Sequence, residues 1–533
     1  MSDTTRTGGE HVCAALQAAG CDVIFSVSGN QILPIFDAAP DAGIRIIHMR
    51  HESAAAYAAA AYAEISGRIG VALTSAGPGF LAGLQGVAAA ATMELPLLYL
   101  SGDAAVSQRG RGAFQEIDQI AIAQVVCKSS CSVDRPGEIP GVFRQAARRS
   151  MTGVPGPVHI SLPGDVLAAS APADDDDAEL ESSSKLTSEQ ESVVATMAAR
   201  LGAAKKPLIL ARPSATRGEA AVQLQAVARS LGIQPVAIEA PRGLADLKYA
   251  SISARFPESD CVLVLAAPDF ALGFLARDRI AEDGAILLVD AEGDPPSNRT
   301  PDLHLRADMM PALEALRKRL GTDSATDPDW SALWPLPEPP RSGKSETGKV
   351  HPLAVSEAVR ELIGPDDIVV LDGGEFCQWV RLGLRDLANP VLWNGKIGAI
   401  GGGVPMAVGA AVAAAGTGRR VISIMGDGAA GYHLSEFETM DRYSLPVTAI
   451  IGNDARWAAE WHLQIARYGE DRTFETELTP ARYDQVAAGF EAFGDYITEA
   501  GDLPGALQEA LDRTKASCIN VAIAALPSPA AMS

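Results

Sequence analysis

The sequence predicts an α/β protein built from three doubly wound parallel-sheet domains. Short apolar segments such as Ile368–Leu371 and Val421–Met425 read as buried strands, and they alternate with helical patterns along the chain. Two polar segments, residues 171–190 and 326–350, interrupt this alternation and are interpreted as linkers. A length of 533 residues suits three or four domains. We therefore expect domains at residues 1–170, 191–325 and 351–525.

The first two domains are predicted from their apolar strands. In the first, the strand Ile44–Met49 leads into an Ala-rich helix over residues 53–65, and Val158–Leu162 is the last strand. The middle domain repeats the pattern with strands separated by helices. Its predicted strands are Pro207–Ala211, Pro235–Ile238, Val262–Ala266 and Ala285–Val289.

The third domain contains the most informative stretch. The strand Val421–Met425 runs into Gly426-Asp427-Gly428, and 24 residues later a second strand, Pro446–Ile451, ends near Asn453-Asp454. A helix over Leu434–Arg442 connects them, which predicts a strand–helix–strand unit of the parallel kind. Both acidic loops then lie at the carboxyl ends of parallel strands, where open α/β sheets bind ligands.

Two carboxylates at one sheet edge can bind one hard divalent cation. Asp427 and Asp454 can converge there, and glycines beside Asp427 let a diphosphate approach the backbone and a helix N-terminus. The alternative is a pair of polar loops with surface acids. The pattern resembles the magnesium–diphosphate signature of thiamine diphosphate enzymes, although the family usually has Asn where this chain has Asp454. The resemblance implies thiamine diphosphate and Mg²⁺ as cofactors, with Asp427, Asp454 and the backbone carbonyl of Arg456 as metal ligands and Gly426, Gly428 and Ala429 at the diphosphate.

The first domain resembles the amino-terminal, pyrimidine-binding domain of the acetolactate synthase-like branch of this family. The motifs that carry the resemblance are Arg50-His51-Glu52, Gly77-Pro78-Gly79 and a Gly-x-Phe-Gln-Glu run ending at Glu116. Ala82 departs from the family, which often has Asn there. The resemblance implies catalytic roles for Glu52 and Gln115 and cofactor contacts from Gly29, Gly77 and Gly79.

The chemistry of the cofactor explains the need for Glu52. The thiazolium C2 proton is very weakly acidic, and the aminopyrimidine of the cofactor itself removes it. A carboxyl group hydrogen-bonded to the pyrimidine N1′ promotes the imino tautomer that acts as the base. The alternative for Glu52 is a helix-terminal charge favoured by the dipole.

Two further segments of the third, diphosphate-binding domain match the family. The residue that matches Gly398 offers its carbonyl to the 4′-amino group of the cofactor, and the residue that matches Ile400 is a wedge that keeps the cofactor bent. Ordinary core packing is the alternative for Ile400. Gly374, Glu375 and Phe376 follow the strand Ile368–Leu371 and resemble the first loop on the diphosphate side.

The middle domain is interpreted as a structural spacer. Its counterparts bind FAD or a nucleotide, but FAD is doubtful here because Pro268, Asp269 and Phe270 lack the basic pattern of the FAD-binding forms. The net charge of −22 argues against nucleic acid and anionic membranes as partners. The seven cysteines are scattered without a zinc-type pattern. With no apolar signal region or membrane-length run, the chain is expected to be cytoplasmic.

The resemblance implies a thiamine diphosphate-dependent C–C bond lyase or carboligase. It would decarboxylate a 2-oxo acid and then release an aldehyde or condense the enamine with a second carbonyl. The alternatives are a lyase acting on a 2-hydroxyacyl-CoA or a 2-hydroxyketone and, from another class, a non-catalytic paralogue. Residues 456–464 are predicted to form a helix that enters over the thiazolium ring. In this helix Glu460 is predicted to lie near the reacting carbon, or else to be a solvated residue. Because the first and third domains of the family hold one cofactor from different subunits, a homodimer or homotetramer is expected.

Overall fold

The computed structural model describes nine ranges of the chain. The segment of Pro268, Asp269 and Phe270, on which the prediction about FAD depended, lies outside them. The described residues are 5–173, 185–238, 249–265, 281–291, 300–321, 325–334, 338–343, 348–393 and 395–529.

Three parallel sheets confirm the predicted fold class. The first has six strands, in the spatial order Arg45–His48, Val23–Ser26, Gly70–Thr74, Leu97–Asp103, Pro157–Pro163 and Ser129–Ser132. The second has five, in the order Val236–Ala237, Pro207–Ala211, Cys261–Leu265, Ala285–Val289 and Leu303–Leu305. The third has six, in the order Val391–Trp393, Ile368–Leu371, Val421–Gly426, Val447–Asn453, Ser517–Ala522 and Phe493–Ile497. A separate antiparallel pair joins Thr5–Thr7 to Ser170–Pro172.

Helices connect the strands, as parallel pairing requires. Around the first sheet they are Gly8–Ala18, Leu33–Ala38, Glu52–Ser66, Pro78–Met93, Gln119–Ala123, Ile139–Met151 and Gly164–Ala168. Around the second they are Ser188–Ala203, Gly218–Ser230, Ala250–Ser253, Met309–Arg319 and Pro328–Ser331. Around the third they are Pro352–Leu362, Glu375–Gly383, Gly403–Ala414, Asp427–Ala430, Glu436–Arg442, Ala458–Tyr468, Tyr483–Ala488 and Leu503–Leu511.

Several predicted boundaries differ from the structure. The strand expected over Pro235–Ile238 pairs only at Val236–Ala237. The helix expected from Arg456 begins at Ala458, because Arg456 forms a β-bridge with Glu477. None of the helices in the described ranges is both long enough and apolar enough to cross a membrane. All seven cysteines are unpaired.

The chain divides into two compact units, one holding the first and third sheets and the other holding the second sheet. In the former unit, the small-residue helices Glu52–Ser66 and Gly403–Ala414 pack closely and share one apolar core. A Cβ atom on Gly409 would lie 1.9 Å from the carbonyl oxygen of Ala58, so only glycine fits at this position. Small side chains therefore bring the two helices, and the loops that precede them, into contact.

Candidate functional site

Asp427 and Asp454 follow neighbouring strands of the third sheet. These strands run parallel with Gly426 opposite Gly452, so the two loops leave the sheet at the same edge. Asp427 is 2% exposed and Asp454 is 6% exposed. Burial and then the nearby Asp454 carboxylate raise the pKa of Asp427 to about 7. Burial likewise raises the pKa of Asp454 to about 6, against the opposing effect of Arg456.

The surroundings of this carboxyl pair fit a bound cation. Among the described residues, Oδ2 of Asp427 is buried without a hydrogen-bond partner, although the backbone N–H of Ala455 donates to the same carboxyl group. Buried carboxylates normally have compensating partners, and a divalent cation with oxygen ligands would supply one here. Asn453 is used structurally, since its Nδ2 donates to the carbonyl of Ala481 over 2.9 Å.

Of the two glycines beside Asp427, Gly428 has little free space around it. Gly426 caps the short helix Asp427–Ala430, in which Ala429 is buried. A Cβ atom on Gly428 would lie 2.7 Å from the indole ring of Trp457. The guanidinium of Arg456 lies 4.4 Å from the ring centroid of Trp461, and its Nη2 lies 3.6 Å from Oε1 of Glu477.

The first residues of the helix Glu375–Gly383 lie near Asp454 and Gly452. Gly374 adopts a positive φ of 96° at the helix start. Glu375 is buried and is hydrogen-bonded through its carboxyl group to Nδ1 of His462, and the backbone N–H of Ser528 donates to its Oε1 over 2.9 Å. The ring of Phe376 lies 2.6 Å from the position that a Cβ atom on Gly452 would take.

Glu52 begins its helix with a half-buried side chain. Its Oε1 would lie 3.4 Å from a Cβ atom on Gly79, so the carboxyl group faces the Gly77-Pro78-Gly79 loop. Gly77 adopts a positive φ of 55°, and a Cβ atom there would meet the carbonyl oxygen of Gln115 at 2.5 Å. A residue with a side chain would therefore be both strained and obstructed at position 77.

Gln115 is held in a left-handed conformation with a φ of 64°, which is uncommon for a residue other than glycine. Its Oε1 accepts a hydrogen bond from Nε2 of Gln31 over 2.9 Å. Oγ of Ser75 donates to Oε1 of Gln31 over 2.9 Å and would lie 2.5 Å from a Cβ atom on Gly29. The sequence motifs did not indicate Gln31 and Ser75 as site residues, although Gln31 lies close to Gly29 and Ser75 lies close to Gly77 along the chain.

The turn that carries Gly398 and Ile400 is fixed by a buried carboxylate. Oδ1 of Asp372 accepts from the backbone N–H of Gly401 over 3.0 Å, and Oδ2 accepts from Gly403 over 2.7 Å. Burial raises the pKa of Asp372 to about 6. Gly398 is exposed with a φ of 66°, and Ile400 is half-buried.

The structure thus brings the predicted residues together as two groups within one unit. The first surrounds Glu52, with Gly29, Gly77, Gly79 and Gln115. The second follows the strands of the third sheet and contains the two aspartates and the turns beside them. Glu460 lies exposed in the first turn of the helix Ala458–Tyr468, and its role stays a prediction.

Comparisons with known proteins agree with these two groups. Residues 6–122 match a family profile described as "Thiamine pyrophosphate enzyme, N-terminal TPP binding domain". Residues 372–521 match the profile "Thiamine pyrophosphate enzyme, C-terminal TPP binding domain". The first range contains Glu52 and Gln115, and the second contains both aspartates.

Curated relatives match over most of their length. A probable acetolactate synthase of Mycobacterium bovis is 27% identical over 98% of this chain and 96% of its own. The human 2-hydroxyacyl-CoA lyase 2 is 29% identical over 92% of this chain and 83% of its own. The oxalyl-CoA decarboxylase of Escherichia coli is 28% identical over 98% and 96%, respectively. The two profiles and these full-length relatives establish that the chain belongs to the thiamine diphosphate-dependent enzyme family.

Proposed function

We propose that the chain decarboxylates a 2-oxo acid with thiamine diphosphate and Mg²⁺, and then releases an aldehyde or joins the remaining carbon fragment to a second carbonyl compound. The observation that carries this proposal is the buried pair of Asp427 and Asp454, with one carboxyl oxygen lacking a partner among the described residues. Likeness to a probable acetolactate synthase supports the choice of a 2-oxo acid.

The residues of the second group would hold the diphosphate and the metal. Asp427, Asp454 and the backbone carbonyl of Arg456 would supply oxygen ligands to Mg²⁺. The loops at Gly426 and Gly374 lie at helix starts, where backbone N–H groups favour an anion. The cation that the two carboxylates attract would offset the negative charge of a diphosphate bound there.

The residues of the first group would act on the pyrimidine ring. When bound, thiamine diphosphate supplies a nucleophilic carbon that attacks a carbonyl and accepts the electron pair freed by C–C cleavage. Glu52 would exchange a proton with N1′ of the pyrimidine, while the carbonyl of Gly398 would accept from the 4′-amino group. Gln115 would donate to an oxygen of the substrate, with its side chain oriented by Gln31.

A second candidate is cleavage of a 2-hydroxyacyl-CoA or a 2-hydroxyketone. The Asn453-Asp454 pair favours it, because some hydroxyacyl-CoA lyases of the family have a similar pair. The human relative that is 29% identical is named as such a lyase. Such a reaction would use the same carboxyl groups and would give an aldehyde and formyl-CoA from the CoA thioester.

We also propose an oligomeric state and a cellular location for the protein. We expect a homodimer or homotetramer, because the family holds one cofactor between a first domain and the third domain of another subunit. The seven unpaired cysteines suit a reducing compartment, which supports the cytoplasm as the location.

A substrate panel tests the proposed function. With thiamine diphosphate and Mg²⁺ added, the purified protein is expected to release CO₂ from at least one member of a panel of 2-oxo acids. Omitting either cofactor should stop the reaction. Formation of aldehyde from a 2-hydroxyacyl-CoA, with no CO₂ from any 2-oxo acid, would favour the second candidate instead.

The same assay decides the role of Glu460. If this side chain protonates the carbon fragment, Glu460→Gln should lower aldehyde release more than CO₂ release. If Glu460→Gln releases both aldehyde and CO₂ at the wild-type rates, Glu460 is a solvated helix residue, because surface substitutions usually have small effects.

Asp454→Asn is expected to preserve cofactor binding. Asparagine keeps an oxygen ligand, so the affinity for thiamine diphosphate with Mg²⁺ should stay within about tenfold, on the order of 1.4 kcal/mol. The metal-free protein should melt at a higher temperature, because the variant removes one of two neighbouring buried carboxylates. Calorimetry and thermal melting measure both effects, with the exposed Asp471→Asn as the matched control. Complete loss of cofactor binding would show that the second negative charge is required.

A further inference from the structure

Two glutamine side chains from distant parts of the first domain meet beside the 77–79 loop. Nε2 of Gln31 donates a hydrogen bond to Oε1 of Gln115 over 2.9 Å. Oγ of Ser75 donates to Oε1 of Gln31 over 2.9 Å. Ser75, Gln31 and Gln115 thus form a hydrogen-bonded row, here called the amide row. Its three residues and Glu52 belong to the same domain, so they would face the same cofactor in any arrangement of subunits.

The amide row begins next to the carboxyl group of Glu52. A Cβ atom on Gly79 would lie 3.2 Å from Cβ of Ser75 and 3.4 Å from Oε1 of Glu52, so both side chains flank this glycine. At the other end of the row, Cβ of Gln115 would lie 3.0 Å from a Cβ atom on Gly77. The row therefore runs along the 77–79 loop, from the proposed catalytic acid to Gln115.

A third glutamine holds the backbone on which the amide row rests. Gln119 is 2% exposed. Its Oε1 accepts from the backbone N–H of Gly77 over 3.1 Å, and its Nε2 donates to the carbonyl oxygen of Gly102 over 3.0 Å. A Cβ atom on Gly102 would lie 2.8 Å from Cβ of Gln31. Gln31 therefore packs directly against backbone that a buried side chain keeps in place.

The hydrogen bonds of the amide row run in one direction. A glutamine amide has one oxygen that accepts and one nitrogen that donates two N–H groups. The oxygen of Gln31 accepts from Ser75, and the oxygen of Gln115 accepts from Gln31. In the part of the chain that the structure describes, Nε2 of Gln115 has no acceptor. The free end of the row is therefore a hydrogen-bond donor.

A donor of this kind suits the carboxylate of a 2-oxo acid. A carboxylate only accepts hydrogen bonds, and its charge makes those bonds stronger than bonds to a neutral ketone oxygen. An amide is neutral, so it binds the carboxylate less strongly than Lys or Arg would. This difference favours the reaction, because the carboxylate loses its charge as CO₂ leaves, and an interaction that is strongest before that step raises the barrier.

We propose that the amide row recognises the carboxylate of the substrate, with Gln115 as the donor and with Gln31 and Ser75 as positioning residues that keep its N–H groups towards the ligand. The inference rests on the proposed function, because it takes a 2-oxo acid as the substrate. Gln31 and Ser75 act through Gln115, since they fix which end of its amide group is available.

Gln31→Glu reverses the polarity at the end of the row. A carboxylate at position 31 can still accept from Ser75 but cannot donate to Oε1 of Gln115. Gln115 would then turn its amide group to donate to Glu at this position, and its oxygen would face the ligand. Ser75→Ala has a milder effect, because it removes only the donor that orients Gln31. Gln108→Glu is the matched control, since it makes the same chemical change at an exposed position in the same domain.

Two small probes measure the effect on binding to protein loaded with thiamine diphosphate and Mg²⁺. Methyl acetylphosphonate has a negative charge where pyruvate has its carboxylate and releases no CO₂, whereas butane-2,3-dione has a neutral acetyl group there. By calorimetry, Gln31→Glu should weaken binding of the phosphonate by roughly ten- to hundredfold, and Ser75→Ala by about two- to tenfold. Binding of the diketone should stay near that of wild type in both variants. Gln108→Glu should change neither affinity.

A double-mutant cycle separates amide orientation from the added negative charge. If Gln31 acts through Gln115, Gln31→Glu should cost little further affinity for the phosphonate in a Gln115→Leu background. The same loss in both backgrounds would show direct repulsion of the anion and overturn the inference. Unchanged affinity in Gln31→Glu would also overturn it, because hydrogen bonds running in the opposite direction would survive this substitution.

The wild-type protein gives the remaining outcomes. Equal or weaker binding of the phosphonate relative to the diketone would overturn carboxylate recognition, even in an enzyme that releases CO₂ from 2-oxo acids. Binding of the phosphonate that depends on Gln31 and Gln115, without CO₂ release from any 2-oxo acid, would contradict the proposed function and leave anion recognition by the amide row in place. A protein that binds no thiamine diphosphate would overturn both, so the two failures are distinguishable.

Discussion

Asp427→Ala is expected to abolish most binding of thiamine diphosphate in the presence of Mg²⁺. The substitution removes a charged ligand from the cation that neutralises the diphosphate, and the neighbouring Asp454 cannot replace it from its own loop. We expect the affinity to fall by about a hundredfold or more, on the order of 3 kcal/mol. Isothermal titration calorimetry at saturating Mg²⁺ measures the change. An affinity close to that of wild type would remove Asp427 from the metal site.

The stability of the metal-free protein gives an independent test of Asp427. Its Oδ2 is buried without a partner among the described residues, and its pKa is raised to about 7. Deleting it should therefore raise the melting temperature or leave it unchanged. Asp484→Ala is the matched control: this buried carboxyl group accepts hydrogen bonds from Arg482 and Asn520, and its pKa is lowered. Its loss should lower the melting temperature while cofactor affinity stays near that of wild type.

The spacing of motifs predicted the fold and the arrangement of the main acidic groups well. In a parallel sheet, neighbouring strands end at one edge, so two loops separated by one helix must lie close together. This rule needs only local information, namely two apolar strands, one helix and the polar residues after each strand. For the same reason the helix that begins at Glu52 was predicted to within one residue at each end.

The contacts between distant segments could not be predicted in this way. His462 pairs with Glu375 across 87 positions of sequence, and His433 contacts Ser53 across 380. No periodicity or spacing indicates which buried polar groups will face each other, because that depends on how two helices pack. Asp372 was visible in the sequence only as part of a loop. Its hydrogen bonds to Gly401 and Gly403 depend on the conformation of the turn that contains these glycines, which the sequence does not indicate.

The boundary errors have a related cause. Residues after Asp454 form an irregular segment whose backbone hydrogen bonds go to another part of the chain. The N–H of Trp457 donates to Thr476, and the N–H of Leu478 donates to Ala455. These long-range bonds compete with helix formation, so the helix begins at Ala458 although the local pattern favoured an earlier start.

Glu52→Gln is expected to separate cofactor binding from cofactor activation. Glutamine has nearly the same shape as glutamate, and the metal ligands are untouched, so thiamine diphosphate should bind with almost wild-type affinity. The amide cannot exchange a proton with the pyrimidine N1′ as a carboxyl group does. Proton exchange at C2, followed by NMR after acid quench, should slow by roughly a hundredfold or more, the range of a lost acid–base group.

Two further variants decide whether this loss comes from the carboxyl group of Glu52 itself. Glu64→Gln makes the same chemical change near the other end of the same helix, and it should leave the exchange rate at the wild-type value. Glu52→Asp keeps a carboxyl group but shortens its reach by one methylene, so its exchange rate should lie between those of wild type and Glu52→Gln. Aspartate occupies less space than glutamate and creates no clash, so any loss of exchange rate reports the greater distance between the carboxyl group and the ring. Wild-type exchange in Glu52→Gln would exclude Glu52 as the activating group and leave it only the helix-terminal charge that its position also allows.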